Sequence, residues 1–262
     1  MIEYDHIDAE LYDRYARGLP NELEFYVEEA CRAKAPVLEL GCGTGRILLP
    51  AVEAGAQMVG LDRAPAMLEV LRRKLDALSA EVQQRAEVVQ ADMRTFDLGR
   101  RFERIFIPYR AFLHLLSDAE QRLALERVRA HLAPEGRLIF NVFDPDLEII
   151  AAHRTELGGA MKRAAEFAHP HTGNRVILWD TRHYQLEQQM LDQYFIFEEL
   201  DGEGHSLRRT FSRLLIRYVH RFEMQHLLEL CGFEVVDLYG DFRRGPFHSG
   251  GEQIWVARPR QA

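Results

Sequence analysis

The residues best suited to hold a ligand form a glycine-rich turn. Gly41, Gly43 and Gly45 lie within five positions of one another, directly after an apolar run that begins at Val37. Glycines at this spacing allow a tight turn and let a ligand approach the backbone closely, and the helix that follows offers unpaired N–H groups at its start. A nucleotide-like ligand is therefore expected at this turn.

Two acidic residues follow the next two apolar runs at equivalent places. Asp62 ends the second run, about twenty residues after the turn, where a carboxylate can accept both hydroxyls of an adenosine ribose. Asp92 follows the third run, and the expected strand order brings it beside the adenine. The spacing predicts one cleft lined by these carboxylates. Either residue could also cap a helix, since acids often end a strand-to-helix turn.

The residues around the turn disfavour a pyrophosphate ligand. Arg46 stands where the dinucleotide fingerprint needs glycine or alanine, and no Gly-Lys-Ser/Thr follows the turn as in a phosphate-binding loop. Glu39, just before the glycines, would repel a phosphate and suits a ligand that carries an ammonium group.

In order and spacing these residues resemble the successive motifs of class I S-adenosylmethionine-dependent methyltransferases. The resemblance runs from about residue 30 to 145, with the chain from 222 to 258 matching the closing strands of that family. It is carried by Glu39 to Gly45, Gly60 to Asp62, Ala91 to Met93 and Leu132 to Leu138.

The resemblance implies S-adenosylmethionine as the cofactor. It places Gly41 and Gly43 under the methionine moiety, has Glu39 orient the amino group, and has Met93 frame the adenine with the neighbouring aspartate. Met67 could equally be a core side chain. The implied cofactor-binding residues are Tyr12, Glu39, Gly41, Gly43, Asp62, Arg63, Met67, Asp92, Met93 and Pro108.

The apolar pattern predicts an α/β fold. From Pro36 to Asn141 short runs rich in β-branched residues alternate with helical patterns, which indicates a parallel sheet covered on both faces. The resemblance makes this a Rossmann-like seven-stranded methyltransferase sheet with helices on both faces. Residues 149–219 instead contain three long alternating stretches, with a turn at 201–204, and predict an inserted antiparallel sheet. The predicted domains are 1–148 with 220–262, including N-terminal lid helices, and 149–219.

The carboxyl ends of strands four, five and six are expected to face the acceptor. Tyr109 or His114 would be the catalytic base if one is used. The segment Tyr12-Asp13-Arg14-Tyr15 resembles one that closes the cofactor cleft in related methyltransferases, although a packing stripe fits it almost as well. Asn21 and Glu24 predict a capping box. The substrate candidates are Tyr109, Arg110, Asp144, Arg243 and His248.

Composition excludes several other functions. The 262 residues include 33 Lys and Arg against 41 Asp and Glu, a net charge of −8, which argues against a nucleic-acid partner. There is no apolar run near the roughly 18 residues that span a bilayer. The 3 cysteines are too scattered for disulfides or zinc, so a cytoplasmic protein is expected. His169, His171 and His183 lack metal-ligand spacing, and no metal is predicted.

The predicted function is transfer of a methyl group from S-adenosylmethionine to a nitrogen or oxygen of a small-molecule acceptor by in-line displacement. The Asn/Asp-Pro-Pro-Tyr signature of enzymes that methylate nucleobase or glutamine amines is absent, since strand four ends Ile107-Pro108-Tyr109. The alternatives are a non-catalytic S-adenosylmethionine-binding protein and an NAD-type oxidoreductase, which Arg46 disfavours. The aromatic inserted sheet also predicts a homodimer.

Overall fold

The computed structural model describes residues 9–152 and 160–260, and it divides into two compact units, Gly18–Pro145 with Tyr218–Ala262, and Met1–Arg17 with Asp146–Arg217. The helices are α1 Ala9–Tyr15, α2 Glu22–Cys31, α3 Leu48–Glu53, α4 Pro65–Asp76, α5 Ala80–Gln83, α6 Asp118–His131, α7 Leu147–Ala152 and α8 Arg221–Leu230. The strands are β1 Val37–Leu40, β2 Met58–Asp62, β3 Ala86–Gln90, β4 Phe102–Ile107, β5 Leu132–Phe143, β6 Lys162–Ala168, β7 Arg175–Gln185, β8 Met190–Leu200, β9 Ser206–Arg217, β10 Phe233–Tyr239 and β11 Glu252–Pro259.

The larger unit is built on a seven-stranded sheet with the order β10-β11-β5-β4-β1-β2-β3. Strands β1 to β5 pair in parallel, while β11 runs antiparallel to both β5 and β10, so β10 again points the same way as β5. All four residues of β1 are buried, as expected for a central strand covered on both faces. The carboxyl ends of six strands therefore lie at one edge.

Local sequence signals set the helix ends in this unit. Helix α6 begins after Ser117, whose hydroxyl accepts a hydrogen bond from the Glu120 backbone N–H, and the Glu120 carboxylate accepts one from the Leu116 N–H. Helix α8 ends at Leu230, and Gly232 follows its cap residue Cys231 with a φ of 80°, in the left-handed region that favours glycine. The predicted capping box at Asn21 is wrong: Asn21 has a φ of 62° and makes no side-chain cap, and the Glu22 carboxylate bonds the Leu19 N–H instead.

The smaller unit is a four-stranded antiparallel sheet with the order β6-β7-β8-β9. The β8–β9 hairpin turns at Asp201, whose carboxylate accepts the N–H groups of Glu203 and His205, as the Gly-rich turn predicts. The sequence predicted three strands, and it missed β6 because Lys162–Ala168 is largely exposed and lacks an apolar alternation. Helix α1 packs on this sheet through Leu11 and belongs to the same compact unit.

The predicted fold class is confirmed: the chain has a mostly parallel seven-stranded sheet with helices and a separate antiparallel sheet. In the part of the chain that the structure describes, no helix has the length and apolar character to cross a membrane.

Candidate active site

The glycine turn leads from β1 toward α3 and adopts a conformation that only glycine takes readily. Gly41, Gly43 and Gly45 have φ values of 72°, 52° and 86°. The N–H groups of Gly41 and Cys42 both donate to the Leu61 carbonyl, at 2.7 and 3.1 Å, which ties the turn to the end of β2. The backbone is thereby held at the carboxyl edge of the sheet.

The space beside the turn differs from one glycine to the next. A Cβ on Gly41 would lie 2.8 Å from Cβ of Ala111, and one on Gly45 would lie 2.4 Å from a methyl of Leu71, so protein atoms fill those two positions. A Cβ on Gly43 would meet nothing within 4 Å. Gly43 therefore exposes its backbone to open space in which a ligand can be seated.

Glu39 lies under this turn, buried at 2% exposure, and its Oε2 has no hydrogen-bond partner. Burial raises the pKa of the Glu39 carboxyl to about 8, and the charges of Asp62 and Glu22 push in the same direction, while Arg46 opposes them. A buried acceptor without a partner is costly. An ammonium group brought to this carboxylate would supply both the donor and the charge it lacks, which fits the amino group of S-adenosylmethionine.

Asp62 ends β2 and joins the turn to the next helix. Its Oδ2 accepts the Gly43 N–H at 2.8 Å and its Oδ1 accepts the Ala64 N–H at 2.9 Å. Each carboxylate oxygen has two lone pairs, so ribose hydroxyls could bind without breaking these bonds. The carboxylate does not cap α4, whose N-cap is Ala64.

Asp92 lies at the next strand end and is paired with Arg94. The guanidinium donates to both carboxylate oxygens, at 2.9 and 2.6 Å, and this hydrogen bonding holds the pKa of Asp92 below its usual value. Met93 is half-buried, with its Cε 3.8 Å from the position of a Cβ on Gly41. Arg63 is exposed, and Met67 is buried on α4 as a core side chain would be. Their contacts with the cofactor stay predictions.

The end of β4 carries two neighbouring residues with a left-handed backbone. Tyr109 and Arg110 follow the buried Pro108 and have φ values of 51° and 65°, a conformation that is unfavourable for side chains of this size. The Tyr109 N–H donates to Oε1 of Glu22 at 2.9 Å, and Glu22 is fully buried. The fold thus supplies a dedicated acceptor for this strained backbone.

Arg46 completes this arrangement. Its guanidinium lies 2.9 Å from Oε2 of Glu22 and 4.6 Å above the Tyr109 ring. The Tyr109 hydroxyl bonds to the Gly18 backbone, and burial raises the pKa of Tyr109 above its ordinary value. A phenol held in this way stays protonated at neutral pH, and the assignment of a base to Tyr109 or His114 stays a prediction. His114 is half-buried on the 3₁₀ turn Ala111–His114.

Arg110 is paired with a residue of β11, a strand that only β5 separates from β4. It makes a bidentate ion pair with Glu252 of β11, at 3.0 and 2.8 Å, and Glu252 also accepts from Asn141, which accepts from the Tyr26 hydroxyl. Planar pairing of this kind fixes the orientation of the guanidinium. The guanidinium that Arg110 would present to an acceptor is therefore already paired with Glu252.

The three remaining substrate candidates have different surroundings. Asp144 is buried and accepts hydrogen bonds from Ser249, Gly250 and Gln253, so it closes the loop before β11. Arg243 and His248 are exposed on the loop after β10. Their roles toward the acceptor stay predictions.

Tyr12 belongs to the smaller unit, where its ring meets that of Tyr15 edge-on with centroids 5.5 Å apart. Its proposed contact with the cofactor stays a prediction.

Sequence reasoning missed Glu22 and Glu252 as site residues. Arg46 was the available signal in the sequence, because an arginine at the place where the dinucleotide fingerprint has a small residue needs an acidic partner. Only the fold identifies Glu22 as that acid.

The fold and the site together define a class of protein. The chain has an α/β sheet, a glycine turn with space for a ligand, one acid under the turn and one acid after each of the next two strands. A family model described as a methyltransferase domain matches residues 37–136. The dTDP-3-amino-3,6-dideoxy-alpha-D-glucopyranose N,N-dimethyltransferase of Streptomyces fradiae is 30% identical over 172 residues, 61% of this chain and 64% of that enzyme. The cypemycin N-terminal methyltransferase of a Streptomyces species is 25% identical over 226 residues, 86% of this chain and 83% of that enzyme.

Among solved structures, the CcbJ methyltransferase from Streptomyces caelestis matches with a TM-score of 0.82 at 25% identity, covering 99% of both chains. The aligned part of the Streptomyces fradiae enzyme is thus just under two thirds of its length, whereas the CcbJ match spans the whole fold. Residues 37–136 therefore match a methyltransferase domain, and the whole chain has the fold of the CcbJ methyltransferase. These likenesses support a class I S-adenosylmethionine-dependent methyltransferase that acts on a small molecule, with S-adenosylmethionine as the cofactor.

Proposed function

We propose that the protein methylates an amine nitrogen of a small-molecule acceptor, with amino sugars as the first class to test. The proposal that the chain binds the cofactor rests on one observation. The Glu39 carboxyl is buried beneath an open glycine turn, and one of its oxygens has no partner. Nitrogen is favoured over oxygen because the Streptomyces fradiae relative is an N,N-dimethyltransferase of an amino sugar.

In this proposal the residues of the chain act mainly by aligning the acceptor nitrogen with the methyl group of the cofactor. The cofactor, when bound, supplies a methyl group on a positively charged sulphur. The acceptor nitrogen forms a bond to that carbon while the carbon–sulphur bond breaks, and the nitrogen then loses a proton. In this proposal Glu39 and Asp62 hold the cofactor, and His114, beside the turn on the Ala111–His114 segment, takes the proton.

The test is methyl transfer to paired acceptors. Purified protein with S-adenosylmethionine is offered dTDP-3-amino-3,6-dideoxy-α-D-glucopyranose, its 3-hydroxyl counterpart, and a short peptide with a free amino terminus. We expect methylation of an amine and none of the hydroxyl sugar, read by mass spectrometry. Methylation of the hydroxyl sugar alone would contradict the choice of nitrogen, and cofactor binding without any turnover would favour a non-catalytic binder.

His114→Asn separates the two candidate bases. Losing a positioned base is expected to lower kcat by about 100-fold, with an unchanged Kd for the cofactor. Tyr109→Phe keeps the ring under Arg46 and is expected to retain kcat within a few fold. A variant pair that behaves in the opposite way would move the base to Tyr109.

The inserted sheet also supports the proposal of a homodimer. Phe211, 52% exposed on the edge strand β9, lies in one row with Ile196 and Trp179 on one face. Large exposed aromatics on an edge strand favour association. The three free cysteines support the further proposal of a reducing, cytoplasmic setting. The net charge of −8 supports the proposal that nucleic acid is not a partner.

A further inference from the structure

Two loops that come from different strands flank the glycine turn. A Cβ on Gly41 would lie 2.8 Å from Cβ of Ala111, the first residue of the 3₁₀ turn after β4, and 3.8 Å from Cε of Met93, which follows β3. Strands β4 and β3 are not neighbours, because β1 and β2 lie between them in the sheet. The two loops therefore both reach the turn although no strand pairing joins them.

Arg94 joins the two loops through hydrogen bonds to one acid on each side. Its Nε and Nη2 donate to Oδ1 and Oδ2 of Asp92, at 2.9 and 2.6 Å, and its backbone N–H donates to Oδ1 at 2.8 Å. Its Nη1 donates to Oε1 of Glu120, in the first turn of α6. The planar fork of a guanidinium allows this arrangement, in which one side chain spans an acid after β3 and an acid of the helix that follows β4.

Glu120 also bonds the segment that follows His114. Its second oxygen, Oε2, accepts the Leu116 N–H at 2.8 Å. The neighbouring Gln121, 1% exposed, donates from its side-chain amide to the Leu115 carbonyl at 3.2 Å. The first turn of α6 therefore holds the two backbone positions that come directly after the 3₁₀ turn.

The geometry of this triad differs from that of an ordinary surface ion pair. The side chains of Asp92, Arg94 and Glu120 are 24%, 33% and 29% exposed, whereas those of Arg122 and Asp118, a pair in the same part of α6, are 48% and 58% exposed. Exposed single pairs contribute little, while bidentate pairs within a network are the ones that matter. Because one guanidinium serves both acids, a shift of either acid changes the contact with the other.

We propose that Arg94 is a positioning residue that couples the adenine end of the cofactor site to the segment carrying His114. The adenine amine fixes the Asp92 carboxylate, Arg94 transmits this constraint to Glu120, and Glu120 holds Leu116 and so the 3₁₀ turn before it. The inference rests on the proposed function for the roles of Asp92 and His114, and it adds the residue through which cofactor binding orders the candidate base.

The first measurement is cofactor binding without turnover, by calorimetry of the full chain with S-adenosylhomocysteine. Arg94→Met keeps an unbranched side chain without charge and is expected to raise the Kd by about 10-fold. Glu120→Gln is expected to raise it by about 3-fold although Glu120 has no proposed contact with the cofactor, and to have no further effect in the Arg94→Met background. Arg122→Met is the matched control, because it removes an arginine of the same helix, and its Kd is expected to equal that of wild type.

The second measurement follows the segment itself. Amide hydrogen exchange at Leu116 is compared with and without S-adenosylhomocysteine at concentrations that saturate each protein. Binding is expected to slow this exchange by about 10-fold in wild type and by less than about 2-fold in Arg94→Met, while the amides of the glycine turn are slowed in both. In parallel, Arg94→Met is expected to lose about 10-fold in kcat with an unchanged KM for the amino sugar, because the candidate base is misplaced.

Three results would overturn the coupling. These are an unchanged Kd in Glu120→Gln, an equal rise of the Kd in Arg122→Met, or equal slowing of Leu116 exchange in wild type and Arg94→Met. If the binding and exchange results hold while no acceptor is methylated, the coupling stands and the proposed reaction falls. If an amine is methylated and Arg94→Met keeps the Kd and kcat of wild type, the proposed reaction stands and the coupling falls. Glu120→Gln keeps an acceptor for the Leu116 N–H, so it tests the coupling even where Arg94→Met lowers the Tm.

Discussion

At the scale of single residues, the site is defined by acids that the fold keeps out of water. Glu22 is fully buried, and Glu39 is nearly so. Glu22 is balanced by Arg46 and by two backbone N–H groups, whereas one oxygen of Glu39 has no partner. We therefore assign Glu22 to the maintenance of the structure and propose that Glu39 binds the ligand.

The raised pKa of Glu39 makes stability depend on pH. The carboxyl ionises near its ordinary pKa of 4.5 in the unfolded chain but near 8 in the fold, so deprotonation favours unfolding across this interval. We expect the cofactor-free protein to lose stability as pH rises from about 4.5 to 8, and Glu39→Gln to reduce this loss. Thermal denaturation measured across that range checks it. A pH profile that is the same in both proteins would contradict the raised pKa.

The same residue is expected to couple cofactor binding to proton release. At pH 7 the Glu39 carboxyl is mostly protonated, and an ammonium placed beside it would favour the ionised form. Calorimetry in two buffers of different ionisation enthalpy should detect release of a proton by wild type and less by Glu39→Gln, whose cofactor Kd rises by about 10-fold or more.

Asp62 is expected to affect affinity more than folding. Asp62→Asn keeps one side-chain acceptor for the Gly43 or Ala64 N–H but loses the charge and one acceptor for the ribose hydroxyls. We expect the cofactor Kd to rise by about 10-fold, with a small change in Tm. Asp62→Ala should weaken binding further because it also releases the turn. Unchanged affinity of both variants by calorimetry would remove the ribose role.

At the scale of elements, the turn after β1 combines two kinds of glycine. Gly45 is needed because Leu71 and Leu49 fill the space beside it, whereas the space beside Gly43 is open and is where we propose that the cofactor lies. Both have positive φ, so both variants carry backbone strain, but only one meets protein atoms.

This contrast predicts different defects for two matched variants. Gly43→Ala should lower stability by about 1 kcal/mol through strain alone and abolish measurable cofactor binding. Gly45→Ala should cost about 1–3 kcal/mol more, because its methyl group overpacks the contact with Leu71. Urea denaturation and calorimetry on both proteins check this. Equal stability of the two variants, or retained binding in Gly43→Ala, would contradict it.

At the scale of the whole molecule, the two sheets differ in composition as well as in topology. The seven-stranded sheet buries large aromatics, including Trp255, Phe106 and Phe140, while the inserted sheet carries ion pairs on its strands and leaves Phe211 exposed. A small sheet with charged pairs and exposed apolar side chains is suited to binding and association.

Association through the inserted sheet is testable in solution. We expect the mass of a dimer by light scattering for wild type, and a shift toward monomer for Phe211→Glu, which places a charge at the exposed end of the row Trp179–Ile196–Phe211. Leu230→Glu is the control, since Leu230 is more exposed, at 69%, but lies on α8 of the other unit. A monomeric wild type at working concentration would refute the dimer.

The sequence by itself determined the class of fold and predicted which residues line the cofactor cleft. Periods of apolar residues identify strands and helices, and glycine, aspartate and glutamate at fixed distances along one chain remain near one another because short strand-to-helix turns keep them at one edge of the sheet. Gly43 to Asp62 is such a pair, and the two residues bond directly.

The tertiary structure alone decided the pairings between distant segments. Glu22 reaches Tyr109 across 87 residues and Arg110 reaches Glu252 across 142, and no local pattern encodes these partners. It also revealed β6, whose exposed residues carry no apolar period, and the buried oxygen of Glu39 that has no partner. The physical reason is that periodicity reports which face of an element is buried, whereas the partner of a buried charge depends on how the elements pack.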